Sequence, residues 1–268
     1  ISDVAGILTA AVGLFVLAGW AFDVPLMKSV LPGLVTMKAN TAACFALIGF
    51  SLWSLQIKRI NKRSFRIPGR LCAAVVASIG ALTLYEYLSG NNLGLDQLLF
   101  KEQAGAVFTA SPGRMALITA FNFFLTGAAL LSLDIKTRRG YYPSQLLAAT
   151  GGFVTLSALC GYIYGVSGFY GGVSAYTAMA LHTTIAFILL CFGLLFARPD
   201  KGLSGVITSS SFGGIMMRRL LWVIIAVPMV SGWLRLQGER AVLYDSQFGV
   251  TLMVIVNVVL LTVIIWWN

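Results

Sequence analysis

Long apolar stretches, separated by short polar or glycine-rich segments, follow one another along the whole chain. A helix that crosses the hydrocarbon core of a bilayer needs about 20 mostly apolar residues. Eight windows have this character, and their approximate limits are 5–22, 39–57, 69–89, 114–133, 143–165, 176–197, 219–236 and 247–267. The pattern therefore predicts an all-α integral membrane protein with about eight transmembrane helices.

Composition supports a bilayer as the solvent of this chain. Of its 268 residues, 58% are hydrophobic and 10% are charged, and the mean hydropathy is +0.87. Soluble proteins carry about 25% charged residues. A soluble globular domain is therefore excluded.

The basic residues are distributed unevenly between the two sides of the predicted bundle. Lys and Arg are retained on the cytoplasmic side of membranes, which predicts cytoplasmic N and C termini. The net charge of +10 is then explained by topology and by anionic lipid, without a nucleic-acid partner. Thirteen of the 19 basic residues lie in the three loops assigned to the cytoplasm: Lys58, Arg59, Lys62, Arg63, Arg66, Arg70, Lys136, Arg138, Arg139, Arg198, Lys201, Arg218 and Arg219.

The even-numbered windows resemble one another. Segments that begin at Met37, Met115 and Met179 each carry a threonine four positions later, followed by small and aromatic residues. This register predicts three repeated helical hairpins and a final pair of helices. The alternative is that Met, Ala, Thr and Leu are common in all membrane helices, so that the likeness is compositional.

Polar side chains gather near the ends predicted to face outwards, where they would surround a ligand cavity. Ionisable groups at membrane depth are expensive and tend to mark function. The alternative is local pairing, which we favour for Lys38, Arg235 and Glu239. His182, the one histidine, is expected about two turns into the sixth window. The candidate ligand-binding residues are His182, Arg114, Asn40, Tyr162, Tyr170, Glu86, Asp96 and Gln97.

These candidates have distinct expected roles. Arg114 would pair with an acidic group of the ligand, or with Glu86 or Asp96, and His182 would form a hydrogen bond. The tyrosines, in a glycine-rich segment that would fold back as a lid, would stack on an apolar ring. Asp96 and Gln97 are expected to project from the amphipathic stretch "LDQLLF" in a long outer loop.

Catalytic and metal-binding patterns are not found in the sequence. It contains no phosphate-binding glycine loop, no Cys and His cluster, and no carboxylates paired within a helical turn. Cys44, Cys72, Cys160 and Cys191 lie in apolar runs and are interpreted as packing residues. A single histidine excludes two-histidine haem ligation and leaves ligation by His with Met as an alternative, but haem is not expected. We therefore predict neither an enzyme nor a metal site.

Several strings resemble a known membrane module: "LPGLVTMKANTA", "LGLDQLLF", "SPGRMALITAFNFFLTGAALL", "YTAMALHTTIAF", "LLFARPDKGL", "GWLRLQGERAVLYDSQFG" and the final "IIWWN". The module they resemble is the N-terminal multi-helix region of bacterial sensor histidine kinases and diguanylate cyclases, where it precedes PAS and output domains. The resemblance covers nearly the whole chain and implies a sensory role, but it supplies no binding residues.

The leading hypothesis is a non-enzymatic sensory domain over residues 1–268, with a cytoplasmic output domain expected after Asn268. It would bind a small or lipid-like ligand near the outer leaflet, for which a quinone is one conjecture, and would dimerise through the signalling helix. The alternatives are a carrier or channel for a small solute, and an accessory subunit of a larger membrane complex.

Overall fold

The computed structural model describes residues 1–30, 33–57, 62–102, 105, 108–171 and 176–267. These residues form helices and loops, and no β-strand occurs among them. The helices are α1 (Ser2–Ala21), α2 (Pro25–Lys28), α3 (Ala39–Gln56), α4 (Lys62–Ser89), α5 (Leu117–Leu131), α6 (Pro143–Tyr164), α7 (Leu181–Leu195), α8 (Gly202–Thr208), α9 (Phe212–Arg240) and α10 (Ser246–Trp267), with a 3₁₀ turn at Ser167–Tyr170.

Each of the eight apolar windows contains one long helix. Within the described residues, five helices, α1, α4, α6, α9 and α10, are long and apolar enough to cross a membrane. The chain is therefore an all-α, multi-pass membrane protein. The other three windows hold α3, with 18 residues, and α5 and α7, with 15 residues each.

Two of these shorter helices begin later than their windows predict. Ala116 and Ala180, the residues just before α5 and α7, have extended backbone with ψ of 147° and 151°. Lys38 has the same conformation before α3, with ψ of 150°. All three inner helices are thus preceded by an extended, buried peptide that hydropathy alone does not distinguish from helix.

The chain divides into two compact units, Ile1–Gly202 and Leu203–Asn268. In the second unit, α9 packs along α10. Ser231 donates a hydrogen bond to Asn257 Oδ1 (2.8 Å), and Tyr244 donates one to the Arg235 carbonyl (2.9 Å). Sequence analysis treated the whole chain as one domain.

The first unit is a ring of three outer helices around three inner ones. Each inner helix packs along the outer helix that precedes it, in the pairs α1 with α3, α4 with α5 and α6 with α7. Each inner helix also contacts the outer helix of the next pair, and the ring closes between α7 and α1. The arrangement has approximate threefold symmetry about the axis between α3, α5 and α7.

A triangle of phenylalanines marks this axis. Phe45, Phe123 and Phe187 each lie eight positions after a repeat methionine, and all three are fully buried. Their ring centroids are 4.9 Å apart for Phe45 and Phe123, and 4.7 Å apart for the other two pairs. The repeats seen in the sequence therefore occupy equivalent places in space.

Small residues let the outer helices approach the inner ones. A Cβ on Gly13 would lie 2.5 Å from the Ala42 carbonyl oxygen, and one on Gly80 would lie 2.6 Å from that of Ala120. Ala42 and Ala120 are both five positions after their repeat methionine. The first two repeats thus use the same close helix contact, which only glycine permits at this distance.

Candidate functional site

The extended peptides before the inner helices lie at one end of the first unit, here called the methionine end after Met37, Met115 and Met179. Each methionine carbonyl accepts a hydrogen bond from an aromatic side chain of the paired outer helix. The donors are Trp20 to Met37 (2.9 Å), Tyr87 to Met115 (2.9 Å) and Tyr162 to Met179 (2.5 Å). Peptide groups outside regular helix are thereby satisfied in a buried setting.

Three of the candidate residues, Glu86, Asp96 and Arg114, form a buried charge cluster at the methionine end. Arg114 Nε lies 2.7 Å from Asp96 Oδ2 and 3.8 Å from Glu86 Oε2. Glu86 Oε1 accepts a hydrogen bond from the Leu93 backbone N–H (2.7 Å), and the guanidinium lies over the Tyr87 ring. Arg114 thus pairs with both acids, one of the two roles predicted for it.

The prediction that Asp96 projects from its loop is wrong. Its side chain turns inward to Arg114, and the residue is only 6% exposed, whereas Leu98 and Leu99 of the same stretch point outwards. The charge-assisted bond to Arg114 compensates the carboxylate for lost hydration. Gln97 does lie at the surface, where its amide donates to the Pro112 carbonyl (3.3 Å).

A second ion pair, between Lys38 and Glu102, holds another part of the loop that contains Asp96. We call this pair the lysine cluster. Lys38 Nζ donates to both carboxylate oxygens of Glu102 (2.6 and 2.8 Å) and to Thr109 Oγ1 (2.8 Å). Burial lowers the pKa of the Lys38 ammonium, and the Glu102 carboxylate opposes this effect. Glu102 also accepts from the Gly113 N–H (2.7 Å). Lys38 therefore pairs with side chains of the protein itself, as expected from the sequence.

Asn40 joins the same network at its far side. Its amide donates to the Gly113 carbonyl (3.1 Å), and its Oδ1 accepts from the Thr41 N–H (2.7 Å). The loop between α4 and α5 is thus bound to the start of α3 by side chains of the loop and by side chains at the start of the helix. Glu102 and Thr109 were not among the predicted site residues, because their partner lies more than 60 positions away in the sequence.

Tyr162 and Tyr170 stack on each other. Their ring centroids are 4.1 Å apart and the planes are inclined by 10°. The two rings were predicted to stack on an apolar ring of the ligand, and in the structure they stack on each other. The rest of the predicted glycine-rich lid, residues 172–175, lies outside the described residues.

His182 lies apart from both clusters. It is the second residue of α7, so it lies in the first turn of the helix and not two turns into it as predicted. The difference arises because residues 177–180 are extended. Both imidazole nitrogens are buried, and neither has a hydrogen-bond partner among the described residues.

The imidazole lines a groove between α1, α2 and α7, which we call the His182 groove. Its volume is about 560 Å³, and its other walls are apolar side chains that include Leu8, Val12, Phe15, Met27 and Leu189. Leu8 and Phe15 are exposed on the outside of α1. The groove therefore lies beside the exposed apolar face of α1, one of the membrane-spanning candidates.

The remaining predictions concern Arg235, Glu239 and the four cysteines. Arg235 and Glu239 form a local ion pair (3.1 Å), as expected. The four cysteines are free thiols, and within the described ranges no group of three His, Cys, Asp or Glu residues could hold a metal ion.

The phenylalanine triangle was not among the predicted features. The sequence does contain a signal for it, because the three phenylalanines occupy the same position in the aligned repeats. The chemistry at the methionine end is therefore mainly of two kinds: ion-paired acidic and basic side chains, and an imidazole for which the described residues offer no hydrogen-bond partner. Comparison with protein families, with curated proteins and with solved structures gives no match to this chain.

Proposed function

We propose that the chain is the membrane-embedded sensory input domain of a bacterial signalling protein, such as a histidine kinase. It binds a small or lipid-like ligand in the His182 groove and transmits through α10 to a cytoplasmic output domain. The resemblance of the sequence to such modules supports the sensory part. The observation that carries the ligand site is the imidazole with two buried, unpartnered nitrogens in an apolar groove.

The cost of leaving these nitrogens without partners is the physical argument for a ligand. A buried polar group without a hydrogen bond costs about 1–3 kcal/mol. A neutral imidazole offers one donor and one acceptor, so a carbonyl on an apolar ligand would accept from its N–H, and a ligand hydroxyl could pair with either nitrogen. A quinone has this chemistry, and it would reach the groove sideways from the bilayer.

The other candidate residues serve a different purpose in this proposal. Arg114 already pairs with Asp96 and Glu86, and Asn40, Gln97, Tyr162 and Tyr170 already have partners within the protein. We assign them to holding the methionine end rigid around the groove. Ligand binding must then favour one of two conformations to produce a signal.

The proposed topology follows the distribution of charge. Eight helices cross the inner membrane, with the methionine end outside and both termini in the cytoplasm. The opposite end of the first unit carries Arg66, Arg138, Arg139 and Arg198, in agreement with the retention of basic residues inside. The methionine end then faces the periplasm, and the His182 groove lies in the outer half of the bilayer.

A carrier or channel remains the second candidate, because three equivalent hairpins surround an axis. Along that axis, however, the rings of Phe45, Phe123 and Phe187 are in contact and fully buried. A solute on this path would have to separate all three rings. The sensory role requires no such opening.

The test replaces the imidazole by the residue that the second repeat has at the equivalent position, Ile118, in the variant His182→Ile. The purified domain is extracted and analysed by mass spectrometry for quinones and other lipids, and binding of added ubiquinone and menaquinone is measured. Thr150→Val is the matched control, since it removes an exposed hydroxyl of the same repeat that lies outside the groove.

A molecule held by the wild type and by Thr150→Val, but lost in His182→Ile, is the expected result. In ligand-free samples, loss of an unpartnered polar group should leave the thermal stability of His182→Ile equal to or above that of the wild type. Equal retention in His182→Ile would remove His182 from the site. A wild-type protein with no co-purifying ligand and no quinone binding would contradict the groove proposal.

A further inference from the structure

The opposite end of the first unit, where the inner helices stop, contains a second cavity. Its volume is about 280 Å³, and it lies between the ends of α3 and α7 and the beginning of α4. Its polar walls are Gln56, Arg66, Arg198, Asp200 and Lys201. We call it the arginine pocket. None of its residues belongs to the His182 groove or to the clusters of the methionine end.

The pocket has an excess of positive charge. Three of its lining residues are cationic, Arg66, Arg198 and Lys201, and one, Asp200, is anionic. Asp134, beside the pocket, accepts from Arg66 (2.7 Å) and Arg198 (2.9 Å). Even with Asp134 included, one positive charge remains in excess. Asp134 also orients the two guanidinium groups, because it binds both at once.

Gln56 supplies a hydrogen-bond donor without an acceptor. Its Oε1 accepts from Arg198 (3.1 Å), which fixes the orientation of the amide, and its Nε2 is buried with no partner in the part of the chain that the structure describes. Since a buried N–H without an acceptor is costly, the amide favours a ligand that brings an acceptor oxygen. Two guanidinium groups and an amide N–H form a set of donors that suits an oxyanion.

We infer that the arginine pocket binds a phosphate group, and that the phosphate is the headgroup of an anionic lipid. Arginine pairs with phosphate oxygens through parallel hydrogen bonds. Basic pockets between transmembrane helices on the cytoplasmic side commonly bind anionic headgroups. The position favours lipid over free phosphate, because α3 and α7 end here and α4, a membrane-spanning candidate, begins here.

This inference does not depend on the sensory proposal, since the two sites share no residue. It assigns the chain a structural requirement for anionic lipid at one end of the ring. The bound phosphate would join α3, α4 and α7 by accepting hydrogen bonds from Gln56, Arg66 and Arg198. Helices from three different repeats would thereby be tied together where the loops between them are basic.

The experiment compares the wild type with two pocket variants, Arg198→Gln and Gln56→Met, in nanodiscs of phosphatidylcholine with a small fraction of phosphatidylglycerol. Native mass spectrometry measures how many anionic lipids stay bound. Arg139→Gln is the matched control, because it removes one exposed positive charge at the same end without touching the pocket. A parallel series in phosphatidylcholine alone receives inorganic phosphate.

We expect the wild type and Arg139→Gln to retain one phosphatidylglycerol, and both pocket variants to bind it about tenfold more weakly. Gln56→Met keeps all charges, so its loss of binding would show that the pocket, and not the overall charge, holds the lipid. Equal retention in all four proteins would overturn the inference. Binding of inorganic phosphate without any preference for phosphatidylglycerol would overturn the lipid source.

Discussion

The phenyl ring of Phe45 lies 4.7 Å from that of Phe187, although the two residues belong to the first and third repeats. Phe123 of the second repeat closes the triangle at similar distances. The three rings are the point at which all three inner helices meet. The stability of the ring of helices should therefore depend on them equally.

We predict that Phe45→Ala, Phe123→Ala and Phe187→Ala destabilise the protein by similar amounts. Phe→Ala costs about 3–5 kcal/mol in water-soluble cores, and a smaller value is expected here because lipid tails are as apolar as the core. Unfolding in mixed micelles by a graded denaturing detergent measures this. Phe153→Ala, on the exposed face of α6, is the control. Strongly unequal losses would contradict the equivalence of the repeats.

Arg114→Met should be severely destabilising whether or not a ligand is bound. It leaves Asp96 and Glu86 as two buried carboxyl groups without a counter-ion, and breaking a buried ion pair on one side costs about 3–5 kcal/mol. The unfolding midpoint of the purified domain is the measurement. Adding Asp96→Asn and Glu86→Gln to Arg114→Met should recover part of the loss, and no recovery would argue against charge as its cause.

Lys38 and Glu102 should be energetically coupled. Lys38→Met leaves a buried carboxylate, and Glu102→Gln leaves a buried ammonium, so each single variant should lose about 3–5 kcal/mol. The double variant should lose clearly less than the sum of the two, since neither charge is then unpaired. A double-mutant cycle by equilibrium unfolding tests this. Additive losses would mean that the pair contributes no coupling.

Asp134 should make stability depend on pH at the acidic end. Its hydrogen bond to Arg198 is the main cause that lowers the pKa of this carboxyl below the ordinary value of 3.8. A lowered folded-state pKa means that the stabilisation is present above the ordinary value and is lost as the pH falls through the folded one. Because Asp134 is about one-third exposed, the effect should stay below about 1 kcal/mol.

The measurement compares the unfolding midpoints of the wild type and Asp134→Asn across this range. The wild type should be slightly more stable at about pH 7, and the difference should shrink as the carboxylate is protonated below about pH 4. Asp200→Asn makes the same change at an exposed aspartate of the same end of the first unit, and it serves as the comparison. A constant difference at all pH values would exclude the ion pair as its source.

Much of the fold could be predicted from the sequence because apolar periodicity acts locally. Each of the eight windows contains a helix, and the segments aligned on Met37, Met115 and Met179 contain the three inner helices. Hydropathy cannot separate inner from outer helices, since both are apolar, nor can it show that Ala116 and Ala180 are extended.

The candidate site was harder to predict because its partners are distant in sequence. The inward turn of Asp96 depends on Arg114, 18 positions away, and the burial of Lys38 depends on Glu102, 64 positions away. His182 was identified because it is unique, yet its separation from the other candidates depends on how α1, α2 and α7 pack. Long-range pairing therefore decided which polar residues remained without a partner.

The short inner helices change how the protein meets the thickness of the bilayer. With 15 residues each, α5 and α7 extend only about 22 Å, less than the roughly 30 Å of a hydrocarbon core. Irregular backbone at that depth is tolerated only when protein surrounds it, and here the outer helices do so. Hydrophobic mismatch is consequently met by α1, α4 and α6, while the inner helices are free to be short and to follow extended, buried peptides.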